Sequence, residues 1–404
     1  MQSDAEAFVL ELVQALHRHG LPAYRIEDAL QRVGKRLGLE LNVFTVPTGL
    51  TLGIGPLASQ HVRLLRVQPG SIHLGRTHAL AELIEDIDAG RLDVAGARAR
   101  LTEIERQPHL HGPLALVAAF ALASAASAVF FGARAAEVAV SGAIGAVVGM
   151  LASGAERHVR LARLFEVLAA AAAAFVAGLV TAVLPGLERE SVVLASIIVL
   201  LPGYTLTVAM NELAARHYSS GTARLGGVLA TMFLLACGAA AGTAGADATL
   251  ALLPAAGPAE ALAPLPTWGL WLALFLSPLA FKVLFQARDR DAPWIVGAAW
   301  VAFLGARAGS AWLGPLLGAG CGAFVLGLAS NALARLRLRP SSITTVPGLL
   351  VLVPGSLGFR GVSSFLAEDS LPGVELVARM LAVAMALVSG LLLAGVVVPS
   401  QRTL

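Results

Sequence analysis

Two long apolar runs in this chain are broken by the same dipeptide: SIIVLLPGYTLTVAMNEL (Ser196–Leu213) and GLLVLVPGSLGFRGVSSF (Gly348–Phe365). Pro inside a helix removes a backbone donor and clashes with the preceding turn, at a cost of about 3 kcal/mol or more. A break there frees carbonyls before Pro202 and Pro354 and amides after Gly203 and Gly355. Hydrocarbon cannot satisfy those groups, so each break must face protein or a water-filled cavity. Amides at a new helix start, with the positive end of the dipole, suit a carboxylate. Tyr204, Thr205 and Thr207 follow the first break and Ser356 the second, so they would line the same place. Arg360, six residues past Pro354, offers a guanidinium for a carboxylate arriving from the other side. The chemistry is reversible binding of a small polar molecule; the plainer reading is two structural kinks with no ligand.

A second set of residues could carry a proton. Ionisable side chains within apolar spans are functional candidates by default, and here they sit near segment ends: Glu137, Glu166, Glu212, Lys282, Arg307 and Arg360. Glu212, beside Asn211 and two to three turns after the Pro202 break, is the first choice, and Glu166 the second. Snorkelling to the membrane interface is the alternative for each. The histidines His17, His19, His61, His73, His78, His109 and His111 have no spacing that would hold a metal on one face. No Gly-rich phosphate loop and no nucleophile–base pair is visible, so neither a catalytic residue nor a cofactor nor a metal is expected. Tyr24, Arg25 and Glu27, at the start of a helix, are either functional or explained by helix-terminus electrostatics.

The elements that must hold these residues follow from composition. The 404 residues are 57% hydrophobic and 14% charged, against about 25% charged in soluble domains, and the mean hydropathy is +0.76. The excess lies after Pro113; residues 1–110 have an ordinary soluble composition. The expectation is an α-helical polytopic membrane protein with an N-terminal soluble α+β domain. The net charge of +3 is spread over short loops between apolar segments, which fits membrane topology and not a nucleic-acid partner. Cys237 and Cys321 both fall in apolar segments and read as buried thiols. The start, MQSDAEAFVL, lacks the basic and apolar regions of a signal peptide, so the head domain is expected to stay in the cytoplasm.

In the head, Phe8, Leu12 and Leu16 share a helical face within residues 4–19, and Ile26, Leu30, Val33 and Leu37 within 22–37. Strands follow at 40–46, 49–54 and 62–67, then helices at 77–89 and 94–105. Ten spans are expected at 113–131, 135–152, 164–184, 191–210, 225–245, 268–286, 293–309, 313–333, 341–366 and 376–399. With a cytoplasmic head, the inner loops carry Arg157, Arg160, Arg163, Arg216, Arg224, Lys282, Arg288, Arg290, Arg335, Arg337 and Arg339. The outer side carries Arg134, Arg189, Arg307, Arg360 and Arg379. The asymmetry supports that orientation, with both termini cytoplasmic.

The phrases AFVAGL (Ala174–Leu179) and AFVLGL (Ala323–Leu328) recur at offset 149, and VLLPG and VLVPG at offset 152, in the same order. This suggests an inverted 5+5 repeat: residues 1–110 as the head, 111–246 as the first five-helix repeat, 247–267 as an outer loop and 268–404 as the second repeat. Chance likeness among Ala- and Leu-rich helices is the alternative. Transporters of this plan bind substrate at the repeat interface near the midplane.

The residues quoted, together with HGLPAYRIEDALQRVGKRLGLELNVFTVPTGL (His19–Leu50), GRLDVAGARARLTEI (Gly90–Ile104), SGTAR (Ser220–Arg224) and RPSSITTVPGLLVLVPGSLGFRG (Arg339–Gly361), resemble the bacterial threonine/serine exporter family over essentially the whole chain. The resemblance implies ten spans in the bacterial inner membrane and export of threonine and serine driven by the proton-motive force. Its partners would then be a small amino acid, protons and membrane lipid. Related two-chain proteins are associated with dicarboxylate export, so that alternative stays open, as does a membrane-anchored binding or hydrolytic head. The oligomeric state, a homo-oligomer among the options, also stays open.

Overall fold

The computed structural model describes residues 4–68, 70, 72–155, 158–252, 263–336, 340–367 and 369–399. The N-terminal unit runs α1 (Asp4–Arg18), α2 (Ala23–Leu37), β1 (Leu41–Val46), β2 (Gly49–Ile54), β3 (His61–Arg66), α3 (Leu74–Asp88) and α4 (Val94–Arg106). Gly20, at φ +78°, turns the chain after α1, and left-handed Gly38 closes α2 by donating to Gly34 O. Only glycine adopts such backbone without strain. The strands form an antiparallel meander in the order β1-β2-β3, with Val46 paired to Gly49 across the Pro47-Thr48 turn. Alternation along β2 turns Leu50, Leu52 and Ile54 inward, onto a hydrophobic core built wholly from residues between Phe8 and Ile104.

The rest is helical: α5 (Pro113–Phe130), α6 (Ala135–Ala155), α7 (Val159–Ala162), α8 (Phe165–Val180), α9 (Arg189–Ser196), α10 (Gly203–Ala214), α11 (Tyr218–Leu250), α12 (Trp268–Leu284), α13 (Ala292–Arg335), α14 (Ser341–Leu350), α15 (Gly355–Leu366) and α16 (Ser370–Val397). Five helical segments among the described residues are long and apolar enough to cross a membrane: α5, α6, α11, α13 with its leading turn, and α16. The number rises to seven if the bent pairs α9–α10 and α14–α15 each count as one span. Helices α8 and α12 are apolar but shorter. At 44 residues, α13 is about 66 Å long at 1.5 Å per residue, roughly twice the hydrocarbon thickness. Gly314, at φ 80° and ψ 167° and followed by Pro315, interrupts it in the middle.

Close packing between these helices rests on small residues, since lipid offers no hydrophobic drive for association. A Cβ on Gly238 or Gly242 of α11 would sit 2.3 Å from Val167 O or 2.1 Å from Ala171 O of α8. In the later half a Cβ on Gly390 of α16 would sit 2.2 Å from Gly320 O of α13. The two recurrent AFV phrases therefore lie on α8 and α13, which pack on α11 and α16.

Several expectations shift. Helix α11 begins seven residues before the expected 225 and runs on to Leu250, so Asp247–Leu250 of the expected outer loop are its last turn. Residues 253–262 of that loop lie outside the described residues, as do Arg157, Arg337 and Arg339 of the charge count. Cys237 is exposed and Cys321 half-buried, not the buried thiols expected. An apolar helix read as a span has a face that meets neighbouring helices and a face that does not, and Cys237 falls on the second.

Candidate functional site

Both broken segments rebuild the same local geometry. Helix α9 gives way to a 3₁₀ turn at Ile198–Leu200, and α10 then starts at Gly203, the two parts meeting at 53°. Helix α14 ends at Leu350 and α15 starts at Gly355, at 41°. Pro202 has φ −79° and ψ 40°, Pro354 φ −84° and ψ 32°, and each precedes a helix of 12 residues. The breaks touch. A Cβ on Gly203 would lie 2.1 Å from Val353 Cγ1 and 3.3 Å from Gly355 Cα; one on Gly355 would lie 3.2 Å from Leu201 Cβ and 3.5 Å from Gly203 Cα. Glycine permits this backbone approach. The first amides of both helices, which have no partner within a helix, converge on one seam.

From the seam the two helices run in opposite directions. Helix α10 ends against the N-terminal unit, where Asn211 Nδ2 donates to the Tyr24 hydroxyl at 2.9 Å. Helix α15 ends at the opposite pole, where Ser363, Leu366 and Ala367 share a cavity with Arg189 and Asp247. Those two form an ion pair at 2.7 Å, and Asp247 lies at the far end of α11 from Tyr218. Conversely α9 begins at that far pole with Arg189, and α14 begins beside the N-terminal unit, Ser342 and His19 lining one cavity.

At the near pole sits Glu212, with its side chain fully buried. Its Oε1 accepts from the Ala23 backbone N–H at 2.9 Å. Its Oε2 accepts from Ser220 Oγ at 2.7 Å. The Arg224 Nε–H reaches both oxygens, at 3.1 and 3.0 Å. Ala23 opens α2, so the dipole of that helix also faces the carboxylate. A buried ion pair persists only when its remaining hydrogen-bonding capacity is met, and three donors meet it here. The neighbouring pair His217–Glu27, 3.6 Å apart, extends the contact. A second joint is made by backbone: Leu74 N and Gly75 N, starting α3, donate to Phe285 O and Gln286 O past the end of α12, at 2.8 and 3.1 Å.

Between the joints lies a cavity of ≈ 80 Å³, room for a few waters. Tyr24, Arg25, Tyr204, Thr207, Asn211 and Thr345 contribute its polar lining. Thr207 Oγ1 donates back to Gly203 O at 3.2 Å, tying the cavity to the seam. On the other side of Gly203 and Gly355 is an apolar cavity lined by residues such as Phe120, Leu201, Phe281 and Val353.

Of the residues singled out from sequence, the structure gathers Pro202, Gly203, Pro354 and Gly355 at the seam, Tyr204, Thr207 and Asn211 at the polar cavity, and Glu212 just beyond it. Thr205 and Ser356 are half-buried next to the seam and line neither cavity. Arg360 faces Glu190 at 3.7 Å, away from the polar cavity. Glu166, half-buried in the first turn of α8, has no hydrogen bond or ion pair among the described residues. Glu137 is buried but caps backbone, accepting from Arg134 N and Glu188 N at 2.6 and 2.8 Å. Arg25, Ser220 and the Ala23 amide were not among the chosen site residues. The Pro-Ala-Tyr-Arg start of α2, with no acid in its first turn, was the available signal: an unneutralised helix N-terminus invites a carboxylate from elsewhere.

A bent, small-residue-packed helical bundle with two touching broken helices defines a polytopic helical membrane protein. The chain belongs to the threonine/serine exporter family: a first family domain, described as "Putative threonine/serine exporter", matches residues 7–245, and a second, "Threonine/Serine exporter, ThrE", matches residues 270–397. Among curated proteins it is similar to Pheromone-regulated membrane protein 10 of Yarrowia lipolytica, 24% identical over 88% of this chain and 30% of that protein. The protein of the same name from Eremothecium gossypii is 23% identical over 87% of this chain and 48% of its own length. That of Candida albicans is 24% identical over 88% and 33%. The chain thus spans less than half of these relatives. No solved structure matches it.

Proposed function

We propose that the protein is a secondary transporter that exports small amino acids, threonine and serine, driven by the proton-motive force. The observation that carries this reading is the seam: two half-helices meet amide end to amide end and diverge to opposite poles, beside a small cavity lined in part by Tyr24, Arg25, Thr207 and Asn211. That arrangement supports an inverted 5+5 repeat of ten spans, with α13 divided at Gly314 and each bent pair counted once. It is also consistent with a head (1–110), two repeats (111–250 and 268–404, the first extended to the end of α11) and an intervening loop. The head and both termini are then cytoplasmic, and the polar cavity is the cytoplasmic vestibule.

In this conformation Gly203 and Gly355 close the seam, so substrate waits in the vestibule. Arg25 suits its carboxylate, and Tyr24, Tyr204, Thr207, Asn211 and Thr345 suit its ammonium and hydroxyl groups. One guanidinium, that of Arg25, matches a ligand with one carboxylate better than a dicarboxylate. Glu212 is the proton carrier: protonation would weaken its bonds to Arg224 and to the start of α2, releasing the head from α10. The seam would then part, exposing the amides after Pro202 and Pro354 to substrate, while Arg360 receives the carboxylate at the far pole. Glu166 is the second choice for the proton.

The test is efflux from proteoliposomes loaded with radiolabelled threonine, serine or succinate, with and without a pH gradient. Gradient-dependent efflux of threonine or serine is expected. Succinate efflux alone would move the protein to the dicarboxylate class, and no flux of any of them would sink the transport reading.

A further inference from the structure

The N-terminal unit holds a second cavity, of ≈ 650 Å³, within the roughly 300–1,000 Å³ of small-molecule sites. It lies on the other side of His19 from the vestibule, between the end of α1 and the start of α3. His73 is 6% exposed and caps α3. Its Nδ1 accepts from Arg76 N at 3.1 Å. That bond fixes the neutral ring with its proton on Nε2, and Nε2 has no partner among the described residues. Arg76 repeats the pattern: Nη2 donates to Gln107 O at 2.6 Å, while its buried Nε–H has no acceptor. A buried donor left unsatisfied costs about 1–3 kcal/mol, and both atoms lie in the cavity wall behind its accessible surface.

The charges around them have one sign in excess. Arg18 and Arg66 line the cavity with Arg76, and His109 stacks on His73 with ring centres 6.1 Å apart. The carboxylate present, Glu105, is already engaged by His19 Nε2 at 2.6 Å and Arg18 at 3.5 Å. Three guanidiniums against one committed carboxylate call for a partner that is anionic and rich in acceptors. Guanidiniums reaching from different directions match the acceptors of a phosphate group, and the cavity is larger than a bare phosphate needs.

We propose that this cavity is a binding site for a small phosphate-bearing molecule. The inference does not depend on the transport reading. Its test is calorimetric titration of the purified full chain with pyrophosphate, ADP and, as the carboxylate control, citrate. Wild type is expected to bind pyrophosphate or ADP. Arg66→Gln, at an exposed position, and Arg76→Gln are each expected to weaken that binding at least about tenfold, the loss of one charge-assisted hydrogen bond. Repeating the titration in nanodiscs separates the sources of phosphate. Equal affinity in neutral and phosphatidylglycerol-containing discs assigns a free ligand, and a tenfold loss in the anionic discs assigns a lipid headgroup. No binding of pyrophosphate or ADP at millimolar concentration, binding of citrate alone, or affinity unchanged in both variants would overturn the proposal.

Discussion

The two Pro-Gly breaks share a backbone and differ in chemistry. Pro202 and Pro354 have nearly the same φ and ψ, and each starts a 12-residue helix. Helix α10 ends in Asn211 and Glu212, the latter fully buried and held by three donors. Helix α15 has no acid; its ionisable residue, Arg360, faces the largely exposed Glu190. The repeated backbone supplies a hinge at both breaks, whereas titratable, buried chemistry is built at one. The same contrast separates the two joints to the N-terminal unit. The joint at Glu212 sets a buried carboxylate against the Ala23 amide; that between α3 and the end of α12 pairs backbone amides with carbonyls, flanked by Glu82 facing Arg288 and Arg290 at 3.9 Å.

This comparison can be broken experimentally. Removing Glu212 leaves Arg224 buried without its partner, so Glu212→Ala should destabilise by about 3–5 kcal/mol. The loss should appear as a lower thermal midpoint and faster proteolysis of the N-terminal unit. Acid should act at the same pole. Burial, with Arg76 beside it, lowers the His73 pKa to about 4, and burial also lowers those of His17 and His78. The unfolded chain takes up these protons below about pH 6.5 while the folded chain does not. Stability is therefore full above that pH and falls as pH drops toward 4, His73 alone contributing about 2–4 kcal/mol. Glu105, held below the usual carboxylate range by its bond to His19, adds to the loss at still lower pH. Thermal denaturation between pH 7 and 4 should show the decline, and His73→Phe should flatten it.

Smaller effects sharpen the comparison at the seam. Gly203→Ala drives a Cβ to within 2.1 Å of Val353 Cγ1, with Gly355 backbone behind it, whereas in Gly355→Ala the nearest approach is 3.2 Å. Overpacking costs about 1–3 kcal/mol; Gly203→Ala should fall in that range, less what rotation of Val353 relieves, and Gly355→Ala below it. Equal effects on thermal midpoint and efflux would mean that the two sides of the seam are packed alike. The smallest change is expected at the far pole: Arg360→Gln removes a partly exposed ion pair worth about 0.2–1 kcal/mol, so a large loss of stability there would contradict the contrast.

Much of this was legible in residue patterns. The N-terminal elements follow from their periodicity, and α1, α2 and all three strands fall within two residues of the expected bounds; α1 and α2 each carry an apolar stripe that stops at Gly20 or Gly38. The breaks were legible because Pro and Gly have backbone consequences that context does not reverse. What escaped was long-range. Nothing local says that the amide of Ala23 lies 2.9 Å from a carboxylate 189 residues later, or that Arg25 joins Tyr204 at one cavity. Arg224 looked like a loop charge because an ion pair 12 residues apart follows from how α10 turns into α11, not from spacing on one helix. The end of α11 was misplaced because Ala, Gly and Thr continue a helix or leave it with similar ease.

The most direct test of the central claim compares wild type with Glu212→Gln, which keeps the side chain's shape and loses its charge. Both would be reconstituted, loaded with radiolabelled threonine and assayed for gradient-driven efflux and for threonine–threonine exchange. The account predicts that Glu212→Gln loses pH-gradient stimulation at least about tenfold, matching the loss of a charge-assisted hydrogen bond, and retains exchange. Gradient-driven efflux by Glu212→Gln at the wild-type rate would contradict it.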